Sequence, residues 1–163
     1  MRHGDGYSIG SVPVYGNDLL YVGTGCSRPN MLAMRVDVTG EQPASALVWK
    51  SVKSIPMMSS PLLLGKDVYW NSDDGTATCA DAATGSVKWQ TRLGEGTLAS
   101  PLAAGGRIYF FGKEGKTTVV KPGASFEKLA ENKLEGTVIA CPAVAGKALF
   151  VRTDTHLYRL EAK

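Results

Sequence analysis

Ser60-Pro61-Leu62-Leu63-Leu64-Gly65-Lys66-Asp67-Val68-Tyr69 decides the fold, because the chain repeats its plan: a Pro closing a run of small residues, a Gly or Asn turn, then an aromatic strand. The other copies are Ser11-Val12-Pro13 with the turn and strand at 17–21, Ser100-Pro101 with 106–109, and Cys141-Pro142 with 146–150. The prolines Pro13, Pro61, Pro101 and Pro142 stand 48, 40 and 41 residues apart. A period near 40 with several short strands per unit is the signature of propeller blades, whose two apolar sheet faces are covered only by neighbouring blades.

The second repeat divides at its turn signals into four expected strands, over 59–64, 67–72, 76–81 and 86–91. Gly65-Lys66 and Asp73-Asp74-Gly75 join the first three as hairpins, since Gly takes positive φ without a Cβ clash. Asp81-Ala82-Ala83-Thr84-Gly85 sets a carboxylate that bonds backbone N–H groups ahead of a left-handed Gly. Trp89 then faces the next blade, following Tyr69 of the second strand.

The first repeat restates the Asp turn as Asp37-Val38-Thr39-Gly40 and the indole as Trp49. In the third, Tyr109 and Gly115 keep their places, Lys121-Pro122-Gly123 replaces the Asp turn, and Leu129 is expected where the others have Trp. The fourth has strands expected over 140–144, 147–152 and 155–161 and no outer strand. The expected fold is all-β: four consecutive antiparallel blades of one partial propeller domain, over 8–50, 59–91, 99–133 and 139–163, within a ring of seven or eight. The remaining blades come from a larger propeller or from a second copy in a homodimer.

With 163 residues and 44% apolar content the chain buries a sizeable core. Its 18 basic and 15 acidic residues are spread through every repeat, so no nucleic-acid footprint stands out. No apolar run approaches the roughly 18 to 20 residues of a membrane span. Cys26, Cys79 and Cys141 have no metal-type spacing and read as small buried hydrophobes.

The run 60–69 with Asp74-Gly75 and Ala80-Asp81-Ala82-Ala83-Thr84-Gly85-Ser86-Val87-Lys88-Trp89 resembles the repeat of pyrroloquinoline-quinone-like β-propellers, and the resemblance covers nearly the whole chain. That family includes quinoprotein alcohol dehydrogenases, the propeller lipoprotein of bacterial outer-membrane protein assembly, and many exported bacterial proteins. The closing stretch, 148–160, looks like the C-terminus of a bacterial member. The resemblance thereby implies a periplasmic or other extracytoplasmic location. In the quinone-dependent enzymes the cofactor lies between an adjacent-cysteine disulfide and a Trp, under a calcium held by Glu, Asn and Asp. This sequence has no Cys-Cys pair, so no catalytic, cofactor-binding or metal-binding residue is carried over.

The remaining candidates read as structure. Asn71, Asp73, Asp74 and Asp81 are oxygen donors of the kind calcium prefers, but they lack the EF-hand spacing, and hairpin chemistry explains them. His3 and His156 have no nucleophile or second His in a recognisable motif, and His156 reads as a strand residue. Ser8, Ser59, Ser60 and Ser100 lie outside any nucleophile elbow and read as packing residues. The glycine pairs Gly4/Gly6, Gly23/Gly25 and Gly94/Gly96 precede no helix and read as β connections. Trp49, Trp70 and Trp89 sit in strands and favour packing between blades over ligand stacking.

The expected structural frame is therefore Pro13, Trp49, Pro61, Tyr69, Gly75, Asp81, Gly85, Trp89, Pro101, Tyr109, Gly115 and Pro142. The expected role is a noncatalytic scaffold binding a protein or peptide through loops 23–30 and 38–46, with no cofactor. The alternative is the C-terminal part of a quinone- or metal-dependent oxidoreductase whose site lies in other blades.

Overall fold

A computed structural model describes residues 10–36 and 43–161. The chain forms four antiparallel sheets, each in plain sequence order. Blade 1 is β1 (Val14–Gly16), β2 (Leu19–Gly23), β3 (Met31–Arg35) and β4 (Leu47–Ser51). Blade 2 is β5 (Leu62–Leu64), β6 (Asp67–Asn71), β7 (Thr76–Asp81) and β8 (Val87–Arg92). Blade 3 is β9 (Leu102–Ala104), β10 (Arg107–Phe111), β11 (Lys116–Val120) and β12 (Lys128–Lys133). Blade 4 has three strands among the described residues, β13 (Ala143–Ala145), β14 (Ala148–Arg152) and β15 (Leu157–Glu161). A single 3-10 turn at Ala44–Ala46 is the one helical element described. The innermost strands β1, β5 and β9 neighbour one another, as blades around an axis require.

The first strand of blade 2 is shorter than its β pattern suggests. Pro61 has no N–H to give a ladder, and the Ser60 N–H leaves the sheet for the Ser100 Oγ of the next blade, 2.8 Å away. The Asp81 turn forms as its chemistry dictates. Its Oδ1 accepts the N–H groups of Ala83 and Thr84 and the Thr84 hydroxyl, at 3.0–3.1 Å. Gly85 closes it at φ +73°.

Each four-stranded blade carries a register shift between its third and fourth strands, at Ala33/Met34, Cys79/Ala80 and Val119/Val120. The extra residue of such a bulge opposes no partner and turns aside. Pairing then sets Trp49 opposite Ala33 and Trp89 opposite Cys79. In blade 3 the residue opposite Val119 is Ala130, not the expected Leu129. Leu129 falls on the bulge, with Val48 and Lys88, and is 45% exposed. A one-residue slip exchanges the faces of a strand, and the bulge is invisible to a count of positions from the turn.

The core lies between blades. Tyr21, Met31 and Trp49 of blade 1 pack with Val68, Trp70 and Ala80 of blade 2. Tyr69, Cys79 and Trp89 pack with Ile108, Phe110 and Val120 of blade 3, and Phe111 and Tyr109 pack with Leu149 and Val151 of blade 4. All three tryptophans are buried, and each indole N–H finds a carbonyl: Trp49 that of Ala82 at 2.8 Å, Trp70 that of Ser54 at 2.9 Å and Trp89 that of Gly123 at 3.0 Å. Gly85 is required by this approach, because a Cβ there would lie 2.6 Å from the Trp49 ring.

Candidate functional site

An inner lining of hydrogen bonds links the blades where each X-Pro pair enters its first strand. The residue before proline is held extended, so its N–H points out of its own sheet. Val12 N–H donates to Ser60 Oγ at 2.9 Å, Ser60 N–H to Ser100 Oγ at 2.8 Å, and Ser100 N–H to Cys141 Sγ at 3.3 Å. Ser60 and Ser100 are thus inter-blade connectors rather than packing residues alone. The recurring Ser before Pro is the signal that could have shown it. Ser59 bonds the Asn71 carbonyl within its own blade, at 3.0 Å.

The cysteines differ in environment. Only Cys79 is the buried hydrophobe expected of all three; Cys141, which holds the serine position of the inner lining, is exposed, and Cys26 is intermediate. Burial pushes the Cys79 thiol up to about 11. Burial likewise raises the Tyr69 hydroxyl, which accepts the Gly123 N–H at 3.0 Å.

Up-and-down order sends the β2–β3, β6–β7, β10–β11 and β14–β15 connections to one face, together with the loops between blades. Backbone bonds lock this face. Thr97 N–H donates to the Asp73 carbonyl, Lys113 N–H to Gly96, Val138 N–H to Lys113 and Asp154 N–H to Thr137. Carboxylates add to it: Asp73 Oδ1 accepts the Met57 N–H at 2.9 Å, and Asp154 Oδ1 accepts the Thr137 N–H at 2.7 Å. Asp74 bonds the Ser72 hydroxyl and the Thr76 N–H, and the Ser72 bond foremost holds its carboxyl below the usual range. Met58, Leu98 and Ile139 occupy one register on this face, each three residues before a repeat proline. Met58 is 43% and Ile139 57% exposed, with Leu98 half-buried between them.

Loop 23–30 belongs to the same face. Thr24 Oγ1 gathers the backbone and side-chain N–H groups of Asn30 at 3.0 and 3.3 Å, and Asn30 Nδ2 also reaches the Arg28 carbonyl at 2.8 Å. The β3–β4 connection, with the other expected binding loop, leaves the opposite end of blade 1. Of that loop and the blade 1 Asp turn, residues 37–42 lie outside the described residues, as do His3, Gly4, Gly6 and Ser8. His156 ends a turn rather than sitting within β15. Its N–H donates to Thr153 Oγ1 at 3.0 Å, and its exposed ring lies 2.9 Å from the Thr155 hydroxyl.

The residues present do not fit a pyrroloquinoline quinone centre. The three free thiols lie in three different blades, and among the described residues no three His, Cys, Asp or Glu side chains converge on a metal-sized site. Asn71 is turned inward instead, its amide N–H bonded to Thr97 Oγ1 at 2.9 Å and to the Ala99 carbonyl at 3.2 Å.

Sheets of this order, joined edge to axis, define a β-propeller of the pyrroloquinoline-quinone-like repeat class. Residues 34–122, more than half of the chain, match the family described as outer membrane protein assembly factor BamB, and the chain belongs to that family. Solved structures share the fold. BamB from Moraxella catarrhalis is 16% identical with a TM-score of 0.71 over 89% of this chain. A europium-containing methanol dehydrogenase is 16% identical with a TM-score of 0.61 over 83%. The computationally designed protein Ika4 is 10% identical with a TM-score of 0.76 over 99%. The chain spans 40% of the length of that BamB and 27% of the dehydrogenase, but 95% of Ika4. No curated protein sequence matches it.

Proposed function

We propose that this chain is a noncatalytic propeller scaffold, working outside the cytoplasm, that binds a protein or peptide through the face carrying loop 23–30. The observation that carries this reading is the apolar arc of Met58, Leu98 and Ile139, set on loops whose backbones are fastened to one another. Loops held on a rigid frame are where binding function concentrates, and a face already locked loses little entropy on association. The family description, an assembly factor for outer membrane proteins, supports a protein partner and that location.

A photo-crosslinking amino acid at Ile139 or Met58 is expected to trap a defined protein adduct in cells of the source organism. The same group at Lys66 or Lys147, in hairpin turns on the opposite face, is expected to trap none. Equal trapping from both faces, or none from either, would overturn the assignment. The oxidoreductase alternative is tested by calorimetry with pyrroloquinoline quinone, with and without calcium. No saturable low-micromolar binding is expected, and its appearance would restore that alternative.

A further inference from the structure

Successive blades meet at a wedge, and in two of the three wedges the chain supplies its own indole. Trp49 lies against Tyr21 with ring centroids 6.0 Å apart, and Trp89 lies against Tyr69 at 6.0 Å. Both tyrosine hydroxyls are engaged across the blade boundary, Tyr21 donating to the Ala82 carbonyl and Tyr69 accepting the Gly123 N–H. Between blades 3 and 4 the corresponding side chain is the methyl of Ala130. A cavity of about 650 Å³ lies in that wedge, within the roughly 300–1,000 Å³ of small-molecule sites.

Its blade 3 wall includes Tyr109 and Phe111, whose rings stack 6.4 Å apart at 15°, and its blade 4 wall includes Leu149, Val151 and Leu160. Asn132 also lines it, two residues beyond Ala130 on β12 and so on the same side of that strand. Unlike its two counterparts, the Tyr109 hydroxyl has no hydrogen-bond partner among the described residues. Glu161 and Lys133 add charge to the lining.

We infer that the wedge between blades 3 and 4 is a binding site for one indole-sized aromatic group, carried free on a small molecule or on a peptide side chain. The two sister wedges show what this geometry holds: a flat ring against a tyrosine, with one polar edge satisfied. Aromatic pairs gain from tilted or offset stacking beyond the area they bury, so the Tyr109 and Phe111 wall selects a ring over an aliphatic chain of equal volume. The Tyr109 hydroxyl and the Asn132 amide are suited to the polar edge.

The test is an amide chemical-shift titration of the whole chain with indole and, separately, with N-acetyl-tryptophanamide. Saturable shifts are expected at Tyr109, Phe111, Leu149 and Val151, with blades 1 and 2 unmoved. Ala130→Trp provides the ring in cis, and is expected to raise the melting temperature and weaken indole binding by about tenfold or more. Where that variant does not fold, Leu160→Trp fills the wedge from the other wall and is held to the same criterion. Binding of indole alone assigns the site to a free small molecule; comparable binding of the amide shows that it accepts the ring on a peptide. No saturable shift with either probe, shifts centred elsewhere, or unchanged affinity in a folded, filled variant would overturn the inference.

Discussion

Trp89 concentrates the chemistry of the blade contact in one side chain: it is 8% exposed, donates to Gly123, and meets Phe126 edge-on at 5.3 Å. Trp89→Ala is therefore expected to cost about 3 to 5 kcal/mol, the range for truncating a large buried aromatic, read as a lowered urea midpoint. His156→Ala, on an exposed ring, should stay within about 0.5 kcal/mol of the parent; equal midpoints for both variants would remove Trp89 from the core. At neutral pH the Cys79 thiol is protonated and sealed in, whereas Cys141 meets solvent. Only the thiolate reacts, so Ellman's reagent at pH 8 is expected to modify Cys141 in the native protein and Cys79 only after unfolding. The Asp81 carboxylate is held below its usual range first by the Thr84 hydroxyl bond and then by the Thr84 N–H. A carboxyl depressed in the folded state stabilises above its unfolded pKa and loses that contribution as pH falls through the folded value. Asp81→Ala should thus lower stability at pH 7, and thermal melts of variant and parent should converge toward pH 2. A gap that persists undiminished in acid would mean the carboxylate charge is not the source.

Hairpins and bulges divide what was readable from what was not. The hairpin at Gly75 was legible from Asp-Gly alone, but the reason only Gly serves there is tertiary. At φ +86° its added Cβ would strike the Glu95 carbonyl of the loop to the next blade, and Gly115 faces Leu134 in the same way. Gly65, at φ +61°, has nothing within 4 Å. Gly65→Ala should cost only the left-handed backbone penalty, about 1 to 2 kcal/mol, and Gly75→Ala clearly more, because backbone must move as well. Denaturant melts giving equal losses would show that the turn yields without cost. The count of strands, four in each of the first three blades and three described in the last, followed from turn residues spaced along the chain. The partner of Val119 did not, since a bulge changes register without changing composition. For the same reason the wedge beside Ala130 could not be read from sequence: it depends on which of two adjacent residues faces inward. Ser60 and Ser100 show their role only through recurrence before Pro, since nothing beside either one in the chain reveals that its hydroxyl serves the neighbouring blade.

At the scale of the molecule, β15 has no outer neighbour among the described residues, where β4, β8 and β12 complete the other blades. An unpaired edge with Leu157 72% exposed invites another strand or another copy. The 163-residue chain alone is therefore expected to associate, a two-fold pairing into an eight-bladed ring being the smallest closed solution. Light scattering after size exclusion decides it: a monodisperse 17.3 kDa species at tens of micromolar would show that edge to be tolerated in water. The bonds before the prolines also have a direction. Ser60 and Ser100 each give an N–H forward and accept one from behind, whereas Val12 gives and has no side-chain group to accept. Blades 2 and 3 are in this sense interchangeable modules. A duplicated copy of either could be spliced in beside its parent and the chain of donors and acceptors would still close. A copy of blade 1 inserted after blade 2 or blade 3 would leave one inward N–H without its side-chain acceptor, because a valine stands where the other copies carry a hydroxyl or a thiol.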